Sequence, residues 1–202
     1  MTICIFGGTF DPPHAGHIHA CKEFIKNFFV DKVYVIPTFI PPHKIRSSSV
    51  SASDRYEMCK IAFLPLSDKI EISDVEMMRE GRSFTSDTIE YFKSMGNDKI
   101  YLLIGTDMFL TLNQWHECEY IVSNATLVWL RRESDSELGR QIEEKKKQYT
   151  EKYNANISFI ESQAIELSSS EIRENLEEIK QKGLIADEVY DFIKKNRLYG
   201  KE

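Results

Sequence analysis

No stretch of this 202-residue chain approaches the roughly 20 consecutive apolar residues that a membrane-spanning helix requires, so a membrane partner is not expected. The segment Met1 to Phe6 has no basic region ahead of an apolar one, so a signal peptide is not expected either. Cysteine is scarce and scattered: Cys4, Cys21, Cys59 and Cys118 form no CxxC pair. That spacing argues against a structural zinc or a disulfide framework and suits reduced thiols in a cytoplasmic protein. Basic residues are outnumbered, 26 Lys and Arg against 32 Asp and Glu, for a net charge of −6. A nucleic-acid partner, usually met by a basic surface, is therefore not expected. Any phosphate-bearing ligand must be held by a local site working against the overall charge. Two common phosphate loops are also missing, Gly-x4-Gly-Lys-Ser/Thr and G-x-G-x-x-G. What is present is ordinary for a globular chain long enough to bury a core without staples, with 42% hydrophobic and 29% charged residues.

Two periodicities alternate along the chain. Ile3 to Phe6, Lys32 to Ile36, Lys69 to Ile72, Ile100 to Ile104, Ala125 to Leu130 and Ile157 to Ile160 are short apolar runs that read as strands. Between them, helical spacing predicts helices over Gly16 to Phe29, Asp54 to Phe63 with Ser53 as N-cap, and Phe84 to Met95 stopped by Gly96-Asn97. Ser136 to Tyr153, Ser168 to Asn175 and Asp187 to Asn196 complete the predicted helices. Thr38 to Ser53, with Pro41-Pro42 and three serines, reads as a long loop. Strands alternating with helices imply βαβ units and a mostly parallel sheet. Ligands on such sheets bind beyond the carboxyl ends of strands. The run Glu143 to Lys147 reads as a solvated helix face. Phe28 and Phe29 read as core, and Cys21 and Cys59 as small buried hydrophobes.

The densest segment is Gly7-Gly8-Thr9-Phe10-Asp11-Pro12-Pro13-His14-Ala15-Gly16-His17, between the first strand and the first helix. Glycines there permit a tight turn and close approach of backbone N–H groups to a ligand. His14 and His17, three apart at a helix start, can face one point near the positive end of the helix dipole. Two imidazoles beside N–H groups suit an anion such as phosphate. Near the C-terminus, Leu167-Ser168-Ser169-Ser170-Glu171-Ile172-Arg173 has Ser168 and Glu171 at capping-box spacing and an Arg one turn in. Read alone, that is how many helices begin. Pro41-Pro42-His43-Lys44, Arg82-Ser83-Phe84-Thr85, Gly105-Thr106-Asp107 and Trp115-His116 are further candidates, each with an ordinary alternative as loop, cap or core residue.

The first segment resembles the HxGH signature of the nucleotidyltransferase superfamily, and Leu167 to Arg173 resembles its second motif, ISSTxxR, with Leu167 and Ser170 as mild departures. With Pro41 to Lys44, Ser83-Phe84-Thr85, Ile104 to Asp107, Trp115 and the ending Asn196-Arg197-Leu198-Tyr199, the chain looks like the bacterial nicotinate-nucleotide adenylyltransferases. Arg132 stands where that family commonly has proline. The resemblance implies one nucleotidyltransferase domain over 1–202, α/β and Rossmann-like with helices on both faces of the sheet, and a small helical part from about 168. It implies ATP and nicotinate mononucleotide as partners, the products being a dinucleotide and pyrophosphate. It implies Mg²⁺ held by substrate, with no protein metal site. By the same resemblance, His14, His17 and Arg173 are catalytic. Gly8, Thr9, Phe10, Gly105, Asp107, Ser168 and Ser169 bind ATP with them. Lys44, Thr85, Trp115 and His116 bind the mononucleotide. The rivals within the class are pantetheine-phosphate adenylyltransferases and small cytidylyltransferases. A catalytically silent nucleotide-binding regulator and a redox flavoprotein are rivals outside it. Nicotinate against nicotinamide preference, and monomer against homo-oligomer, stay open at this stage.

Overall fold

The computed structural model describes residues 1–41, 50–131, 136–162, 165 and 167–200. Among these, β1 (Thr2–Gly8), β2 (Lys32–Pro37), β3 (Ile70–Ile72), β4 (Lys99–Leu103), β5 (Thr126–Arg131) and β6 (Ile157–Glu161) form one sheet in the order β3-β2-β1-β4-β5-β6. The helices are α1 (Ala15–Asn27), α2 (Ala52–Phe63), α3 (Val75–Arg79), α4 (Thr85–Ser94), α5 (Thr106–Thr111), α6 (Cys118–Asn124), α7 (Ser136–Tyr153), α8 (Ser169–Glu174), α9 (Leu176–Gln181) and α10 (Asp187–Lys195). The strand order reverses after β1, as in doubly wound nucleotide-binding sheets, which carry helices on both faces. The predicted Rossmann-like α/β class is the observed one. No helix among the described residues is long and apolar enough to cross a membrane.

The chain divides into two compact units. The first comprises Met1–Phe6, Glu23–Val33 and Phe84–Ala164. Here β1 pairs in parallel with β4, Ile3 opposite Ile100 and Ile5 opposite Leu102. Next come β4 with β5, and β5 with β6, where Trp129 lies opposite Phe159. The strands are almost continuously apolar because both faces are covered; Ile3, Cys4, Ile5, Leu102, Leu103, Leu127 and Val128 are all buried. The indole of Trp129 stacks on Phe109 at 4.2 Å, and Tyr149 meets Phe109 edge-on at 5.4 Å. Tyr149 and Ile142 are buried on one side of α7, while pairs such as Glu143–Lys146 lie in solvent on the other, as the charge run predicts. Phe28 stacks on Phe24 at 5.0 Å. Phe29 departs from expectation: it lies past the end of α1 at Asn27 and off the stripe that Phe24 and Phe28 continue, and it is 81% exposed.

The second unit comprises Gly7–Lys22, Tyr34–Ser83 and Ile165–Glu202. Its core includes Val35 and Ile36 of β2, Met58, Cys59 and Phe63 of α2, and Val189 and Ile193 of α10, which packs on α2. The cap of α2 is Ser51, not the predicted Ser53. Its hydroxyl accepts from the Asp54 N–H at 3.0 Å and donates to the Asp54 carboxylate at 2.6 Å. A capping serine wants its acidic partner three residues on; Ser51 has Asp54 there and Ser53 does not. Helices α3, α5, α6 and α9 are shorter than two turns or nearly so and were not expected. A stretch like Leu176–Gln181, with Ile179 its one buried residue, offers too few turns for a 3.6-residue period to register.

Candidate active site

In the second unit, β1 delivers the chain to Gly8, and the turn that follows is held in an unusual conformation. Phe10 has a left-handed backbone, φ 49°, which costs a non-glycine residue energy and persists only when its surroundings fix it. They do: the ring is 1% exposed and lies edge-on to Phe63 at 5.5 Å and to His17 at 4.9 Å. That ring covers Gly8, where a Cβ would sit 2.9 Å from Phe10 Cζ. Glycine at position 8 is thus required by the ring above it.

His14 and His17 come together as the spacing predicts. Their ring centroids are 3.7 Å apart, and the His14 backbone N–H donates to His17 Nδ1 at 3.3 Å. Because Nδ1 of His17 accepts, its ring proton belongs on Nε2. Gly16 makes room for the pair: a Cβ there would lie 3.1 Å from His14 Nδ1 and Cε1 and from the Ile165 carbonyl. His14 is 5% exposed, and its Nδ1 has no hydrogen-bond partner among the described residues. Burial lowers its pKa from 6.5 to about 4, opposed only in part by the Glu171 carboxylate. His14 is therefore a neutral imidazole at pH 7.

That depression has a measurable consequence. The unfolded chain takes up a proton on His14 below about pH 6.5 and the folded chain does not, so the stabilisation is complete above 6.5. It is lost as pH falls towards 4, by at most ~3 kcal/mol. Denaturant melts of wild type and His14→Gln from pH 7 to 4 should show the wild type losing more stability; parallel curves would remove His14 from this role.

The opening of α8 docks on the same turn. Ser168 caps the helix, accepting from the Glu171 N–H at 3.2 Å while its own N–H donates to the Glu171 carboxylate at 2.8 Å, which is the predicted capping box. The Ser168 hydroxyl, which also donates to the Glu171 carboxylate at 2.7 Å, and then the Ser168 N–H hold that carboxyl below its ordinary pKa. Ser169 Oγ donates to the Pro12 carbonyl at 3.1 Å. Arg173 donates through Nη1 to the Asp11 carbonyl at 2.8 Å and through Nη2 to Ser170 Oγ at 3.0 Å, with the Asp11 carboxylate 3.7 Å from Nη1. Two partners of this turn, Tyr199 and Arg55, and Asp11 within it had no role assigned from sequence. Asp11 receives the Tyr199 hydroxyl at 2.6 Å. Arg55, 3% exposed, donates to the carbonyls of Thr9 at 2.8 Å and Phe39 at 3.4 Å. A signal for Arg55 exists in the sequence: it falls on the apolar stripe of α2 with Ala52, Cys59 and Ala62, where a charge must have partners.

The first unit gathers the remaining described candidates. Gly105 is the N-cap of α5, and a Cβ on it would lie 2.9 Å from Asp107 Oδ1, so the carboxylate folds back over that glycine. Asp107 is in the first turn of α5 and exposed, not its cap. Trp115 closes a 3-10 turn, its N–H donating to the Leu112 carbonyl at 3.0 Å, and is part-exposed rather than core. The turn is anchored by Tyr149, whose hydroxyl donates to the Phe109 carbonyl at 3.0 Å and accepts from the Asn113 N–H at 3.2 Å. His116 is exposed and its ring lies 4.3 Å from that of Phe84. Phe84 is the N-cap of α4 and supplies no side-chain hydrogen bond, so the N–H groups from Thr85 onward start a ten-residue helix without a capping side chain. Pro42, His43, Lys44 and Arg132 lie outside the described residues.

With that geometry in place, comparison with known proteins is informative. The family model for cytidylyltransferase-like proteins matches residues 5–175. This chain belongs to the cytidylyltransferase-like family. Among similar members is a Clostridium tetani protein named "Probable nicotinate-nucleotide adenylyltransferase", 36% identical over 197 residues, covering 96% of this chain and 97% of that one. A Clostridium acetobutylicum protein of the same name is 34% identical with the same coverage. In fold, this family member is similar to a solved structure described as "Plasmodium falciparum nicotinic acid mononucleotide adenylyltransferase complexed with NaAD". The TM-score is 0.73 at 22% identity, covering 98% of this chain and 97% of that one.

Proposed function

We infer that this chain transfers the adenylyl group of ATP to nicotinate mononucleotide, giving nicotinate adenine dinucleotide and pyrophosphate, a step of NAD biosynthesis. The observation that carries the reading is the pair of imidazoles 3.7 Å apart at the start of the 13-residue α1, tied through Asp11 and Pro12 to Arg173 and Ser169. The names of the relatives, over nearly the full chain, support the choice of substrates.

The reaction is an in-line displacement. A phosphate oxygen of the mononucleotide attacks the α-phosphorus of ATP; the bond from that phosphorus to the bridging oxygen breaks, and pyrophosphate leaves. The nucleophile is already an anion and needs no general base. The barrier is bringing two anions together, which calls for positioning and charge neutralisation, and positioning can supply about 7–11 kcal/mol. His17, with its proton on Nε2, donates to the α-phosphate as charge builds, and neutral His14 supports it from the tilted ring beside it. Gly8, Thr9 and Phe10 present backbone to ATP, and Ser168, Ser169 and Arg173 meet its outer phosphates. Gly105 and Asp107 take the adenosine ribose. Trp115 stacks on the pyridine ring, and the N–H groups of Thr85 and His116 receive its carboxylate; the uncapped start of α4 suits an anion. Lys44 takes the mononucleotide phosphate.

Mg²⁺ enters as part of the nucleotide substrate, held by phosphate oxygens and water. No three His, Cys, Asp or Glu side chains among the described residues converge to hold a metal ion. The carboxylate nearest the histidines in sequence, Asp11, is occupied by Tyr199 and Arg173.

The test is initial-rate kinetics with ATP·Mg and nicotinate or nicotinamide mononucleotide, following pyrophosphate and dinucleotide. Product from the nicotinate substrate is expected; none from either would overturn the reading. In the same assay Trp115→Ala should raise KM for the mononucleotide about tenfold, the size of a lost aromatic stack. An unchanged KM would remove the stacking role.

A further inference from the structure

Resting on that reading, we propose that Tyr199 is a positioning residue for ATP turnover, acting through Asp11 on Arg173. Tyr199 stands next to the end of the described chain and takes no part in the chemistry above. Yet its hydroxyl reaches back 188 residues to donate to Asp11 Oδ1 at 2.6 Å. The other oxygen of that carboxylate, Oδ2, lies 3.7 Å from Arg173 Nη1, and the same Nη1 donates to the Asp11 backbone carbonyl at 2.8 Å. Asp11 therefore sits between a fixed phenol and a guanidinium. The Arg173 and Asp11 side chains are only 15% and 8% exposed, so little water competes for these contacts.

Several features make the phenol a deliberate anchor. Tyr199 has a left-handed backbone, φ 60°, as does Arg197, φ 52°. Two such non-glycine residues in one short turn cost energy unless the surroundings fix them. The Arg197 N–H donates to the Lys194 carbonyl at 3.2 Å and the Leu198 N–H to the Ile193 carbonyl at 3.0 Å, wrapping the chain over the end of α10. Burial and the Asp11 carboxylate push the Tyr199 pKa far above its ordinary range, so the hydroxyl keeps its proton at any working pH. It therefore remains a donor to Asp11 Oδ1.

The division of labour follows. A guanidinium can hold an outer phosphate and a carboxylate only if the carboxylate is fixed; otherwise Arg173 can swing toward Asp11 and away from the nucleotide. Tyr199 supplies that restraint. Asp11 is also part of the turn between Phe10 and Pro12 that carries the histidines, so the same bond steadies both ends of the phosphate grip.

The experiment is a mutant cycle on the full chain with ATP as the varied substrate. Tyr199→Phe removes one hydroxyl and keeps the ring; loss of a hydrogen bond to a charged group should lower kcat/KM for ATP about tenfold. KM for the mononucleotide should stay at its wild-type value. In an Arg173→Ala background, Tyr199→Phe should add less than about twofold, because its route is already cut. Asp11→Asn, which keeps the shape but weakens both contacts, should behave as Tyr199→Phe does and serves if that variant fails to fold. Wild-type kinetics with unchanged kcat/KM in Tyr199→Phe would overturn the positioning role alone, as would equal losses with and without Arg173. An inert wild type would instead overturn the adenylyl-transfer reading, and this assignment with it.

Discussion

His17→Ala is expected to lower kcat by about 10²–10³-fold with the fold intact. That is the range for removing one preorganised donor to a developing charge, ~2.7–4 kcal/mol. The expectation rests on geometry. His17 is only partly buried; its ring meets Phe10 edge-on, lies 3.7 Å from the His14 ring and accepts the His14 backbone N–H. Its loss should leave the sheet, α1 and the Phe10–Phe63 contact in place, since Phe10 is fixed from the other side. His17→Asn restores a donor on a shorter side chain and should recover part of the rate. Circular dichroism and thermal melting separate the two effects: near-wild-type melting with a large kcat loss is the expected result, and near-normal turnover would remove His17 from the α-phosphate.

Arg55→Leu is expected to have the largest effect on stability, a loss of about 2–4 kcal/mol, read as a shift of the urea midpoint. The leucine would fill part of the space, but the carbonyls of Thr9 and Phe39 would lose the charged donor that Arg55, itself 3% exposed, supplies. Leaving a buried acceptor unmade costs more than the net worth of the bond that was there. The effect should reach activity, since Thr9 immediately precedes the strained Phe10. A relaxed turn would move the histidines, and kcat should fall even at temperatures where the variant is fully folded. Arg55→Lys, which keeps the charge but not the two-armed reach, should lie between. A midpoint within experimental error of wild type would show that the two carbonyls find other partners.

The strands were legible because parallel strands covered on both faces read as apolar runs; all six fall within two residues of their expected limits. The pairing of His14 with His17, and the capping box of Ser168 with Glu171, were legible because both are local: three residues on a helix is a fixed distance. What the sequence did not disclose is what holds these pieces. Asp11, Arg173 and Tyr199 span the chain from one end to the other, and no periodicity connects positions so far apart. Tyr149 was similarly hidden, because a tyrosine on an amphipathic helix reads as core until its hydroxyl is seen bridging Phe109 and Asn113. Phe29 misled because apolar identity alone does not say where a helix ends. The Ser51 cap was missed by two residues because both serines precede the same apolar stripe, and only the position of Asp54 decides between them.

The central claim is that the turn from Gly8 to His17 grips a triphosphate with its two imidazoles against the innermost phosphorus. Its most direct test is a crystal structure with a non-hydrolysable ATP analogue and Mg²⁺. An α-phosphate oxygen is expected within hydrogen-bond distance of His17 Nε2, with Arg173 on the outer phosphates and still beside Asp11. An analogue bound with its phosphates remote from residues 8–17 would contradict it.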